Sequence, residues 1–212
     1  MTACHDKPPA EAREIDFYFD FISPFGYFAS LRIDELAARH AYGVRWNSML
    51  IGVSVVKVMG MKPLLETPLK GPYILRDADR YARRHGLRLA RGIAAPMADP
   101  RPAGKAYNWL TRQHPTRARE FAGRVFEAYW REGQDISVQQ TLNQILAAMS
   151  LASSEVIAGI ASDDASALLR ASVDSSLQRG VFGSPFFIVG DEPFFGVEKM
   201  ELLEEWLASG GW

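Results

Sequence analysis

The stretch IDFYFDFISPFGYFASLRIDELAARH, residues 15–40, constrains the fold more than any other part of the chain. Ile15, Phe17, Phe19 and Phe21 alternate with Asp16, Tyr18, Asp20 and Ile22. A period of two in an aromatic-rich run predicts a strand. Ser23-Pro24 ends it, because serine is favoured as a helix N-cap and proline at the first helical position. A helix is predicted from Pro24 to about His40. Its start presents a serine hydroxyl together with unpaired backbone N–H groups, and such a start attracts an anion. The alternative is that Ser23 does no more than cap the helix.

Composition narrows the classes of function. Lysine and arginine number 24 against 25 aspartates and glutamates, so the net charge of −1 gives no drive towards nucleic acid or an anionic membrane. No apolar run reaches the length of a membrane span; the longest, residues 49–61, is broken by Ser54, Lys57 and two glycines. Cys4 is the one cysteine, which excludes an intramolecular disulfide, a Cys-x-x-Cys pair and a cysteine-based zinc site. The four histidines (His5, His40, His85 and His114) show no metal spacing. Residues 1–14 are polar and lack periodicity, so a disordered tail is expected. They resemble neither a secretory nor an organelle signal, and the cytoplasm is the expected location.

In chain order, His40 and Gly43 close the first helix, and residues 44–49 predict a second strand, giving a parallel strand–helix–strand unit. Residues 50–178 then read as mostly helical. Residues 71–85 place Ile74, Ala78, Tyr81, Ala82 and His85 at helical spacing, with a charged face opposite on which an Asp79–Arg83 pair is expected. Residues 91–104 hold three prolines and read as a loop. Further helices are predicted over 105–114, 116–131, 137–149, 153–161 and 163–178. Residues 186–189 form a compact apolar run, Gly190 to Pro193 a turn, Phe194-Phe195 a returning strand, and residues 197–207 a last helix. These elements describe an α/β, thioredoxin-like fold with a large all-helical insertion after the βαβ unit. The expected division is a tail at 1–14, a thioredoxin-like domain at 15–50 and 179–212, and an inserted helical domain at 51–178.

In that arrangement the loop Gly183-Ser184-Pro185 faces the start of the first helix. A cis Ser184-Pro185 bond would leave the Ser184 backbone exposed for pairing with an extended peptide. A trans bond would merely start an edge strand.

Three stretches carry a family resemblance: FYFDFISPFGYFASLRIDELA, KVMGMKPLLETPLKGPYILRDADRYARRHGL and GVFGSPFFIVGDEPFFGVEKMELLEEWL. Together, in this order, they resemble the 2-hydroxychromene-2-carboxylate isomerases, relatives of the kappa-class glutathione transferases and, more distantly, of DsbA-type oxidoreductases. The resemblance covers residues 15–212. It implies bound glutathione, a homodimer and a catalytic serine at Ser23, standing where redox members place the first cysteine of Cys-x-x-Cys. It also implies that Ser184 and Pro185 pair with the cysteinyl part of glutathione, that Glu198 meets its γ-glutamyl end and that Lys70 lines the same site. Met61 stands where the family often has asparagine, Glu198 is longer than the usual aspartate, and Val197 replaces a small polar neighbour.

The activity expected is glutathione-dependent cis-trans isomerisation of 2-hydroxychromene-2-carboxylate or a similar unsaturated aromatic carboxylate, as in aromatic-compound catabolism. A thiol of pKa about 8.5 reacts as thiolate, and a serine hydroxyl donating to the sulfur favours that form. Phe25, Tyr73, Tyr107 and Trp109 are either substrate-lining or core residues. Ser23 is not read as a nucleophile, since no histidine with a pairing acid lies near it in sequence. A kappa-type glutathione transferase uses the same thiolate, and a non-catalytic glutathione- or peptide-binding module keeps the same proline loop. Disulfide exchange is excluded because neither Ser23 nor Gly26 is cysteine.

Overall fold

The computed structural model describes residues 13–212. The readings made for Cys4, His5 and most of the tail lie outside the described residues. Glu14, expected at the end of the tail, opens the first strand.

Strand β1 (Glu14–Phe19) pairs in parallel with β2 (Gly43–Ser48) and antiparallel with β3 (Phe186–Val189). A fourth strand, β4 (Glu192–Phe195), completes the order β2-β1-β3-β4. This is the expected thioredoxin-like sheet. Alternate residues serve two cores. Phe17, Phe19 and Phe187 turn into a large cluster, while Tyr18, Phe186 and Ile188 join Met49 and Val181 on the other face. Phe17 stacks on Phe187 with ring centroids 5.4 Å apart. Each such ring removed from water contributes about 1.5–3 kcal/mol.

Both sheet edges are blocked. At one edge the Arg119 guanidinium donates to the Val44 carbonyl at 2.6 Å. At the other, Pro193 sits opposite Ile188 and brings no N–H. The hairpin is longer than Phe194-Phe195 alone, because an edge strand tolerates the proline that a sequence reading assigns to a turn.

The predicted first helix is two helices, α1 (Pro24–Ser30) and α2 (Ile33–Arg39). The Ser30 hydroxyl donates to the Tyr27 carbonyl at 2.7 Å, and Arg32 leaves the helical region with φ −129°, which separates them. After β2 come a π-helical segment at Gly52–Val58 and a 3₁₀ turn at Leu64–Glu66, then α3 (Lys70–Arg84). On α3 the ion pair is Asp77–Arg80, at 2.5 Å, and not Asp79–Arg83. Helix α4 (Arg101–Gln113) starts four residues earlier than predicted, because Pro102 lies in its first turn, where a missing N–H costs nothing.

Helix α5 (Pro115–Phe126) runs on through a π-helical turn at Glu127–Arg131. Helices α6 (Gln139–Ala148), α7 (Ser154–Ile160) and α8 (Asp163–Gln178) follow, the last two capped by the hydroxyls of Ser153 and Ser162. The last helix is a 3₁₀ turn at Val197–Lys199 leading into α9 (Met200–Ser209). Strand and helical residues share one core: Phe19 lies 5.5 Å from Phe126 and 5.2 Å from Tyr107, centroid to centroid. Among the described residues no helix is long and apolar enough to cross a membrane.

Candidate active site

The site is built where β1 ends. Asp20 leaves the strand, Phe21 and Ile22 turn, and Ser23 caps α1 with its side chain accepting from the Gly26 N–H at 3.0 Å. The Ser23 N–H donates to the Asp20 carbonyl at 3.0 Å, closing the turn. The indole of Trp130, from the π-helical turn after α5, donates to the Phe21 carbonyl at 3.0 Å. One buried donor thus ties the helical region to the residues that aim Ser23.

The Ser184-Pro185 bond is cis. The Ser184 carbonyl accepts from the Ser23 hydroxyl at 2.9 Å, and the Ser184 hydroxyl accepts from the Asp20 N–H at 3.0 Å. Ser23 is 4% exposed and Ser184 9%. The two predicted serines and the proline are therefore brought together directly. Gly26 is required here for space: a Cβ on it would lie 2.6 Å from the Ser184 Oγ and 3.2 Å from the Ser23 Cβ. Gly183 is required likewise, since a Cβ there would lie 2.5 Å from the Phe195 ring.

Glu198 joins the site through the backbone. The Gly196 N–H donates to the Pro185 carbonyl at 3.0 Å, and the 3₁₀ turn that carries Glu198 packs against α1. Its carboxylate is exposed. Lys70 is the first residue of α3, is exposed, and its side chain makes no hydrogen bond or ion pair with the other four predicted residues. It follows Leu69, which is 90% exposed and has φ 67° and ψ −44°. With the Lys70 N–H donating to the Pro68 carbonyl at 2.8 Å, Leu69 is the centre of a γ-turn of the strained kind. Of the four aromatic candidates, Tyr107 and Trp109 belong to the core, and the Tyr107 hydroxyl donates to the Trp46 carbonyl at 2.7 Å. Phe25 is half-buried beside Pro24, and Tyr73 is 58% exposed on α3.

Sequence reasoning missed Asp20. Period-two alternation groups it with Asp16, Tyr18 and Ile22 and singles out no role for it, yet it is 1% exposed. Its carboxyl accepts from the Ile22 N–H at 3.2 Å and from the Ile51 N–H at 2.8 Å, so it fastens the segment after β2 beneath the site. Burial pushes its pKa up to about 7, against the two N–H donors, with Asp99 adding to the rise. Trp130 was missed too, because nothing in its spacing signals a contact 109 residues away. An open cleft of about 490 Å³ lies among Tyr27, Leu31, Leu87, Arg88 and Glu127, at the other end of α1 from Ser23. Among the described residues no cluster of three or more metal-ligating side chains exists.

A buried hydroxyl at the first helix start, pressed against the residue before a cis-proline on a β2-β1-β3-β4 sheet, defines a thioredoxin-fold protein. A model of the DsbA-like thioredoxin domain matches residues 14–208, and the chain belongs to that family. A 2-hydroxychromene-2-carboxylate isomerase from Sphingobium xenophagum is 26% identical over 92% of this chain and 98% of that protein. One of the same description from Pseudomonas putida is 26% identical over 90% and 92%. Among solved structures, a 2-hydroxychromene-2-carboxylate isomerase superposes with a TM-score of 0.78 at 24% identity, covering 93% of this chain and 94% of that one. The cytosolic disulfide reductase DsbM from Pseudomonas aeruginosa, solved with GSH, gives 0.63 at 16% identity, covering 92% and 96%. These two likenesses are of fold.

Proposed function

We propose that this protein is a glutathione-dependent cis-trans isomerase acting on 2-hydroxychromene-2-carboxylate or a similar unsaturated aromatic carboxylate. The observation that carries the reading is the buried Ser23 hydroxyl, fixed by Gly26 and held at the Ser184 carbonyl before a cis-proline. The relatives named above support the reaction class.

The donor set suits the tripeptide chemically. The Ser184 carbonyl accepts a peptide N–H, the Glu198 carboxylate matches an ammonium group, and the Lys70 ammonium matches a carboxylate. Ser23 offers a hydroxyl hydrogen at the place a thiol needs it. When bound, glutathione supplies a thiolate that adds reversibly to a conjugated double bond, permits rotation and leaves unchanged. Ser23 steadies the negative charge on sulfur. A charge-assisted hydrogen bond contributes about 1.5–3 kcal/mol, or about one to two pKa units, enough to ionise much of a thiol at neutral pH. Phe25 and Tyr73 offer aromatic surface to the substrate.

The proposal includes a cytoplasmic homodimer. Val58, Met59, Met61, Leu64, Leu69 and Tyr73 form a run of exposed apolar residues beside Lys70, and such runs mark interaction surfaces.

The test mixes protein, glutathione and a hydroxychromene carboxylate and follows the ultraviolet spectrum. Turnover that needs glutathione and consumes none is expected. Net consumption would assign a kappa-type transferase instead, and an unchanged spectrum would remove the isomerase reading while leaving the fold.

A further inference from the structure

The hydrogen of Ser23 is accounted for by who can donate. A carbonyl cannot donate, so the Ser23 hydroxyl spends its single hydrogen on the Ser184 carbonyl at 2.9 Å. The Gly26 and Asp20 N–H groups are donors too, so they fill a lone pair of the Ser23 and Ser184 hydroxyls respectively. Ser23 therefore has no second hydrogen for a sulfur. Among the described residues the Ser184 carbonyl has no donor besides Ser23, and its residue is 91% shielded from water, being 9% exposed. Turning Ser23 towards a thiolate strips that carbonyl. A buried carbonyl without a donor costs about as much as a bond to an anion returns, so the turn brings little by itself.

We infer that Ser23 and Ser184 form a hydrogen-bond exchange, in which a peptide N–H donated by the ligand to the Ser184 carbonyl releases the Ser23 hydroxyl to the neighbouring thiol sulfur. This rests on the glutathione reading above and adds to it a rule of selection: the site activates a thiol whose own carbon chain carries an amide N–H beside it. Cysteinyl peptides qualify, and simple thiols do not. The hydrogen of Ser23 is re-aimed and never transferred; the thiol proton leaves to solvent, and the Ser23 oxygen keeps its bond from Gly26 throughout. The loop supplies the carbonyl, and the Ser184 hydroxyl accepts from the Asp20 N–H.

The experiment compares glutathione with its depsipeptide, in which an ester oxygen replaces the cysteinyl N–H. Binding is measured by calorimetry, and the thiol pKa of each bound ligand by ultraviolet titration of the thiolate, for the natural protein and for Ser23→Ala. Bound glutathione is expected to ionise about one to two pKa units lower than in free solution, a ten- to hundredfold gain in thiolate. The bound depsipeptide should ionise as in free solution, and Ser23→Ala should abolish the difference between the two. A depsipeptide that ionises as readily as glutathione would overturn the exchange and leave the glutathione reading standing. A depsipeptide that does not bind at saturating concentration would place the carbonyl's role in affinity alone and overturn it too. Glutathione that fails to bind would overturn both.

Discussion

Ser23 caps α1 and, in the proposed reaction, donates to sulfur, so removing its oxygen has two expected effects. As a cap it satisfies the Gly26 N–H, and its loss costs about 1 kcal/mol of stability. As a donor to sulfur it should matter more: Ser23→Ala is expected to lower kcat about ten- to hundredfold, read in the spectral assay, with the fold intact by circular dichroism. A second prediction concerns Gly26. Restoring a dithiol with Ser23→Cys and Gly26→Cys places a Cβ 2.6 Å from the Ser184 Oγ. That double variant should be less stable than the natural chain and form its disulfide poorly, while adding Ser184→Ala should improve both, as judged by thermal denaturation and thiol counting. A third concerns Asp20, whose folded pKa of about 7 lies above the usual 3.8. The folded chain then holds a proton that the unfolded chain has lost, so stability falls as pH rises from about 4 to 7 and levels off above. Urea unfolding at several pH values should show this slope, at most about 4 kcal/mol, and Asp20→Asn should flatten it. The Ser23 start was legible because serine and proline carry strong local preferences. Asp20 was not, because its burial comes from the Ile51 segment folding beneath it, a contact that alternation within β1 cannot report.

Whole elements were legible where local pattern and tertiary demand agree. Helix α8, over Asp163–Gln178, and strand β3, over Phe186–Val189, have the bounds expected from the sequence. The start of α4 was hidden by prolines that read as loop but fit a first helical turn, and the break after Ser30 by a back-bonded hydroxyl. Of the residues proposed for the site, Lys70 depends most on an element boundary. Gly71, next to it, packs so closely that a Cβ would lie 2.2 Å from the Leu65 carbonyl oxygen. Gly71→Ala should therefore displace the start of α3 from the 3₁₀ turn. The expected result is weaker glutathione binding by calorimetry with the bound-thiol pKa unchanged, since Ser23 is untouched.

At the scale of the molecule, the helical region and the sheet share aromatic contacts, Phe19 with Tyr107 and Phe126, and the Trp130 indole reaches back to Phe21. A shared core predicts one cooperative unfolding transition, with tryptophan fluorescence and far-ultraviolet circular dichroism giving coincident curves; two separated transitions would count against it. The outer strands carry a consequence of a different sort. With a guanidinium seated on Val44 and an imino acid at position 193, both margins are poor templates for a foreign strand. Copies of this chain that meet are then expected to recognise one another by side chains, in a pairing tunable by surface mutation without disturbing the ladder inside.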